Sequence, residues 1–75
     1  MPRYFFDTCD GERQVRDETG IDLAGPQDIP REAAILLQGL GLAEMLKGRS
    51  RIFIVRVRRD DGAFVYRGTA KLDIE

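Results

Sequence analysis

The stretch RIFIVRVRRDDGAFVYRGTAKLDI, residues 51–74, decides the fold. Two runs rich in β-branched and aromatic residues, Arg51 to Arg59 and Phe64 to Ile74, flank Asp61-Gly62. Asp-Gly between two such runs is a strong hairpin signal. A two-residue type I′ loop there sets Val57 opposite Tyr66, Val55 opposite Gly68 and Phe53 opposite Ala70. The apolar residues of both strands then share one face, and a slip of one residue would separate them.

Upstream the apolar spacing becomes helical. A helix is expected from about Ile29 to Lys47, with Asp28 as N-cap, Pro30 in the first turn and Gly48 just past the end. Ala33, Leu36, Leu37, Leu40 and Ala43 form one stripe, which should face the sheet. Ile35, Gly39, Leu42 and Leu46 form a second stripe on the opposite side. A surface helix with one partner should be polar there. Either the helix bends at Gly39 and Gly41 and part of the second stripe tucks under the loops, or the stripe meets another subunit, with Gly39 and Ala43 allowing close approach. The second reading is favoured because the core is thin.

The N-terminal segment reads as another hairpin. Arg3 to Thr8 alternates and is rich in aromatics, and Asp10-Gly11 is a turn. Pairing across it sets Phe6 opposite Val15 and Phe5 opposite Arg16. Thr19-Gly20 and Gly25-Pro26 then break the chain before the helix. The expected order is β-β-α-β-β: an α+β fold in which a four-stranded antiparallel sheet carries one helix on one face. Residues 1–75 read as a single domain without repeat or linker.

Composition narrows the function. Of 75 residues, 43% are hydrophobic and 33% charged, a globular balance. With no His and one Cys, the chain has no His-based acid/base site, no disulfide framework and no zinc site built from Cys and His. A domain this short usually needs a staple, and with no disulfide or Cys/His metal site that leaves oligomerisation or very good packing. The longest apolar run, Ala33 to Leu37, falls far short of a membrane span. The opening does not read as a signal peptide, so the expected location is cytoplasmic.

Two apparent motifs dissolve on inspection. A calcium loop starting at Asp7 would end correctly at Glu18, but it would put Glu12 where the loop needs Gly. Cys9 lies among acids, which raise a thiol pKa, and has no His as base. No Gly-rich phosphate loop or nucleophile motif is present. The expectation is no enzyme, no cofactor and no metal.

Charge is uneven along the chain. Residues 1–30 hold seven acids against three Arg, while residues 31–75 hold nine bases against six acids. If Phe53, Val55, Val57, Tyr66, Ala70 and Leu72 face the helix, the outer sheet face carries Phe5, Ile52, Ile54 and Val65. Around these lie Arg3, Arg16, Arg56, Arg58, Arg67 and Lys71, against Asp7, Glu18 and Asp73. The register sets Arg56 opposite Arg67, and like charges facing across strands repel. A neighbouring acid or a bound anion should relieve them.

The opening M-P-R-Y-F-F-D, D-G at 10–11, D-E-x-G at 17–20 and the following helix and hairpin resemble a family of short bacterial proteins grouped as a domain of unknown function. The resemblance covers essentially the whole chain. It implies a small α+β domain, often a stand-alone protein, and supplies no activity, cofactor or catalytic residue. Members often have a charged or aromatic residue where Cys9 stands, which implies no shared thiol chemistry. A looser similarity of fold is to antitoxin-like domains, and fold alone does not give function.

The functional expectation is a non-enzymatic protein–protein interaction module, homodimeric or bound to another protein, with no membrane partner. Its candidate contacts are Ile35, Gly39, Leu42 and Leu46 on the helix and Phe5, Ile52, Ile54 and Val65 on the sheet. The alternative is a nucleic-acid-binding or antitoxin-like regulator using Arg56, Arg58, Arg67 and Lys71. A small-molecule or anion binder in a dimer cleft is a third reading.

Overall fold

The computed structural model describes residues 2–73. Strand β1 (Arg3–Cys9) is followed by two short strands, β2 (Gln14–Val15) and β3 (Ile21–Asp22). A 3-10 turn (Pro26–Asp28) leads into helix α1 (Ile29–Leu46), and β4 (Arg51–Arg59) and β5 (Phe64–Leu72) complete the chain. All strand pairings are antiparallel, in the order β2-β1-β4-β5, with β3 also on β1. The class is α+β as expected, with a fifth short strand at Ile21–Asp22, between the two expected chain breaks, where the sequence reading assigns no element.

The second hairpin has the expected register: Val57 faces Tyr66, Val55 faces Gly68 and Phe53 faces Ala70. Its loop, however, is longer than two residues. The Gly62 N–H donates to Arg59 O at 2.9 Å and the Arg59 N–H to Ala63 O at 2.8 Å. Gly62 has φ 89°, which marks a three-residue loop ending in a left-handed glycine. Asp61 Oδ1 accepts the Ala63 N–H at 3.0 Å and stabilises this form. A register shift between Val57 and Arg58 absorbs the extra residue, so Arg58 faces Phe64 and the pairing beyond is unchanged. Such a bulge re-aims side chains locally.

The first hairpin departs further. Thr8, not Phe6, faces Val15, and Cys9 faces Gln14. The reason is Asp10: its Oδ1 accepts the N–H groups of Glu12 (3.0 Å) and Arg13 (2.8 Å), and its own N–H donates to Arg13 O (3.1 Å). This side-chain turn spreads the loop over Asp10–Arg13 and moves the register by two, which preserves the faces.

Helix α1 lies over β4 and β5. Ile29 and Ala33 are buried and Leu36 and Leu37 pack beside them, against Tyr4, Phe6, Leu23, Val55, Val57 and Tyr66. Ala43 is exposed, contrary to expectation, and Glu44 takes the inward position. Asp28 occupies the N-cap position, but its side chain makes no capping bond among the described residues. The preceding turn already delivers helical backbone there. At the other end, Arg49 N–H donates to Glu44 O and Gly48 N–H to Met45 O, with Gly48 at φ 70°. That double bond pattern is the Schellman stop.

Candidate interaction surfaces

The outer sheet face is organised by an ion pair. Arg58 donates to Asp7 Oδ2 through Nε (2.8 Å) and to Asp7 Oδ1 through Nη2 (3.2 Å), and Nη2 also reaches Asp17 O at 2.6 Å. The Phe5 ring lies 4.7 Å beneath the guanidinium. Arg58 is only 8% exposed, so this arginine, expected on an open basic patch, is spent inside the fold. Burial raises the Asp7 carboxyl, but the Arg58 and Asp17 N–H bonds and the Arg58 and Arg16 charges outweigh it and hold the group below its ordinary value.

Asp17 closes the gap that β2 and β3 leave on the β1 edge. Its Oδ2 accepts the Phe6 N–H at 3.0 Å, and its Oδ1 accepts those of Thr19 (3.0 Å) and Gly20 (3.1 Å). Its own N–H donates to Asp7 Oδ1 at 2.9 Å. Burial pushes this carboxyl up, and the three backbone bonds together with the Arg58 charge bring it below the ordinary range. Gly20 is required beside it: φ is 76°, and a β-carbon would lie 2.8 Å from Arg3 Cγ and 2.9 Å from Phe5 Cε1.

The rest of the basic group is dispersed. Arg56 stacks on Phe64 at 3.9 Å and stands opposite Arg67, as the register required. Together with Arg16 they border a concavity of about 740 Å³ that also touches Asp7, Cys9 and Ile54. Lys71 is exposed and 3.9 Å from Asp73. The bulge makes Phe64, rather than Val65, the residue facing Arg58. Ile52 and Val65 are exposed, whereas Phe5 and Ile54 are half-buried.

The second helix stripe is open to solvent. Ile35, Leu42 and Leu46 are 54%, 59% and 83% exposed, with Met45 beside them. A β-carbon added at Gly39 would meet nothing within 4 Å. Ile35 and Leu36 form one wall of a groove of about 630 Å³ whose other side holds Val15 and Ile21, with Glu18 and Glu32 also lining it. Sequence reasoning missed Val15 and Ile21 here, since it sets Val15 opposite Phe6 and assigns Ile21, between the breaks at Thr19-Gly20 and Gly25-Pro26, to no element.

A buried acid was also missed. Glu44, 7% exposed, accepts two bonds from Arg49 (2.9 and 3.2 Å) and lies 3.8 Å from Arg51 Nε and 3.9 Å from Lys47 Nζ. Arg51 Nη1 in turn pairs with Glu12 at 3.0 Å. The available signal was spacing, because Glu44 continues the inward series Ala33, Leu37 and Leu40. Among the described residues no cluster of three or more acids and thiols is placed to hold a metal ion, and no helix is long and apolar enough to cross a membrane.

The fold and these surfaces define a small α+β domain whose ionisable groups mostly bind one another and whose apolar groups partly remain outside. The chain belongs to the family described as Domain of unknown function (DUF6894), whose model matches residues 3–71. No curated protein and no solved structure matches it.

Proposed function

We propose that this chain is a non-enzymatic protein–protein interaction module, working as a homodimer, whose partner surface is the apolar groove between α1 and the β2/β3 edge. The observation behind this reading is the continuity of exposed Val15, Ile21 and Ile35 around one concavity, extended along the helix by Leu42 and Leu46. An exposed apolar patch with a polar rim is the usual form of a docking site. Glu18 and Glu32 on the lining outnumber Arg16 there and favour an apolar segment that carries a basic residue. The setting is the bacterial cytoplasm, consistent with a single free thiol at Cys9.

The test is site-specific photocrosslinking in cells, with the crosslinker at Ile35 and a control at Asp60 in the distal hairpin loop. One discrete protein adduct at position 35, lost on Ile21→Glu, is expected. Identical adducts from both positions, or none, would remove the reading.

A second reading, a nucleic-acid-binding or antitoxin-like regulator, draws support from Arg56 stacked on Phe64 beside Arg67. With Arg58 committed to Asp7, it rests on Arg56, Arg67 and Lys71. Its mark is binding to single-stranded nucleic acid that falls steeply with salt and on Arg67→Ala.

A further inference from the structure

The two edges of the sheet are built differently. On the β1 side, β2 and β3 cover the strand and the Asp17 carboxylate fills the gap between them. On the other side, β5 is a nine-residue terminal strand of the sheet. It contains no proline, and its inward row of Tyr66, Gly68, Ala70 and Leu72 contains no charge. Edges without such protection accept another strand. That inward row is only half-buried although α1 packs on β5. On the outward row Arg67 faces Arg56 and makes no ion pair among the described residues.

We propose that a second copy of this chain adds to the β5 edge, antiparallel about a twofold axis through Ala70, so that the two sheets become one. This register sets Arg67 opposite the partner's Asp73 and, by symmetry, Asp73 opposite the partner's Arg67. Both residues are exposed, and among the described residues Asp73 has only its loose 3.9 Å approach to Lys71. Lys71 then faces the partner's Thr69, and Leu72 faces the partner's Gly68. Charge selects this axis over those through Gly68, Thr69 and Lys71. A twofold through Thr69 would face Arg67 with the partner's Lys71, and one through Lys71 would face the two lysines with each other. A twofold through Gly68 would give Arg67 no acid. Because the contact is isologous, each favourable pair occurs twice. It also gives Arg67 the counter-charge that Arg56 denies it.

The inference rests on the homodimer reading above and moves the contact between the two copies from the groove to the sheet edge. The groove is thereby left free for a different protein.

Sedimentation velocity with charge reversal tests it. Arg67→Glu and Asp73→Arg should each weaken dimerisation by about tenfold or more, and the double variant should restore it. In a Cys9→Ser background, Ala70→Cys should crosslink two copies under mild oxidation, because paired strand residues sit about 4.5–5.5 Å apart. Circular dichroism on each variant separates loss of pairing from loss of fold. A dimer indifferent to both reversals and not crosslinked would overturn the edge contact while leaving the homodimer reading intact. A monomer at every concentration would overturn both.

Discussion

Arg58 on β4 and Asp7 on β1, 51 positions apart in sequence, form a two-bond ion pair at 2.8 and 3.2 Å. The Asp17 N–H donates to the same carboxylate, and the Asp17 carbonyl accepts from the same guanidinium. One pair therefore fixes three segments: the first strand, the central strand, and the excursion that carries the groove's far wall. It also explains why the most basic strand of the protein is not an open cationic face.

This network makes stability acid-sensitive. Asp7 and Asp17 have folded-state pKa values below their unfolded ones. Their stabilisation is fully present above the unfolded value, about 3.9, and is lost as pH falls through the depressed folded values. Urea midpoints measured from pH 7 to pH 2 should therefore fall steeply below about pH 4. Asp17→Asn should be less stable at pH 7 and lose less on acidification.

Gly20 and Gly11 separate two costs of a left-handed residue. Both have positive φ, but a side chain at Gly11 would meet nothing within 4 Å, whereas one at Gly20 would collide with Arg3 and Phe5. Gly11→Ala should cost about 1 kcal/mol from backbone strain alone. Gly20→Ala should cost about 2–3 kcal/mol, with the β1–β3 pairing disturbed. Denaturant melts of the two variants make the comparison.

Adjacent residues of β4 should behave as opposites. Phe53 is 1% exposed, and Phe53→Ala should cost about 3–5 kcal/mol. In so small a domain that is a large part of the total stability. Ile52, on the other face and half exposed, should lose less than about 1 kcal/mol in Ile52→Ala. Equal losses would contradict the assigned faces.

Glu44 is the acid on which Arg49, Arg51 and Lys47 converge. Glu44→Ala should lower the melting temperature by about 5 °C or more, because Arg51 Nε is buried and makes no hydrogen bond among the described residues. Glu44→Gln should fall between the two proteins in thermal melts.

The hairpin register of β4 and β5 was legible because alternation and Asp-Gly act over a short range, and faces admit only slips of two. The three-residue loop was not legible. It and the bulge that absorbs it cancel, leaving Val57 opposite Tyr66 in either case. The first hairpin shifted because one side chain, Asp10, accepts two backbone N–H groups, which no hydropathy pattern reports. Strand β3 is only two residues long, too short for periodicity. The outward helix stripe was legible, since Ile35, Leu42 and Leu46 stand where spacing placed them. The groove beside it was not, because its far wall depends on Asp17 holding the excursion against β1. Arg58 was misplaced for a related reason: strand alternation gives its face but not its partner.

Light scattering behind size exclusion, across a concentration series at low and near-physiological salt, tests the central claim most directly. The homodimer reading predicts a mass that rises from one chain to two with concentration, and a weaker association at higher salt as the Arg67–Asp73 pairs are screened. A mass of one chain at every concentration and both salts would contradict it.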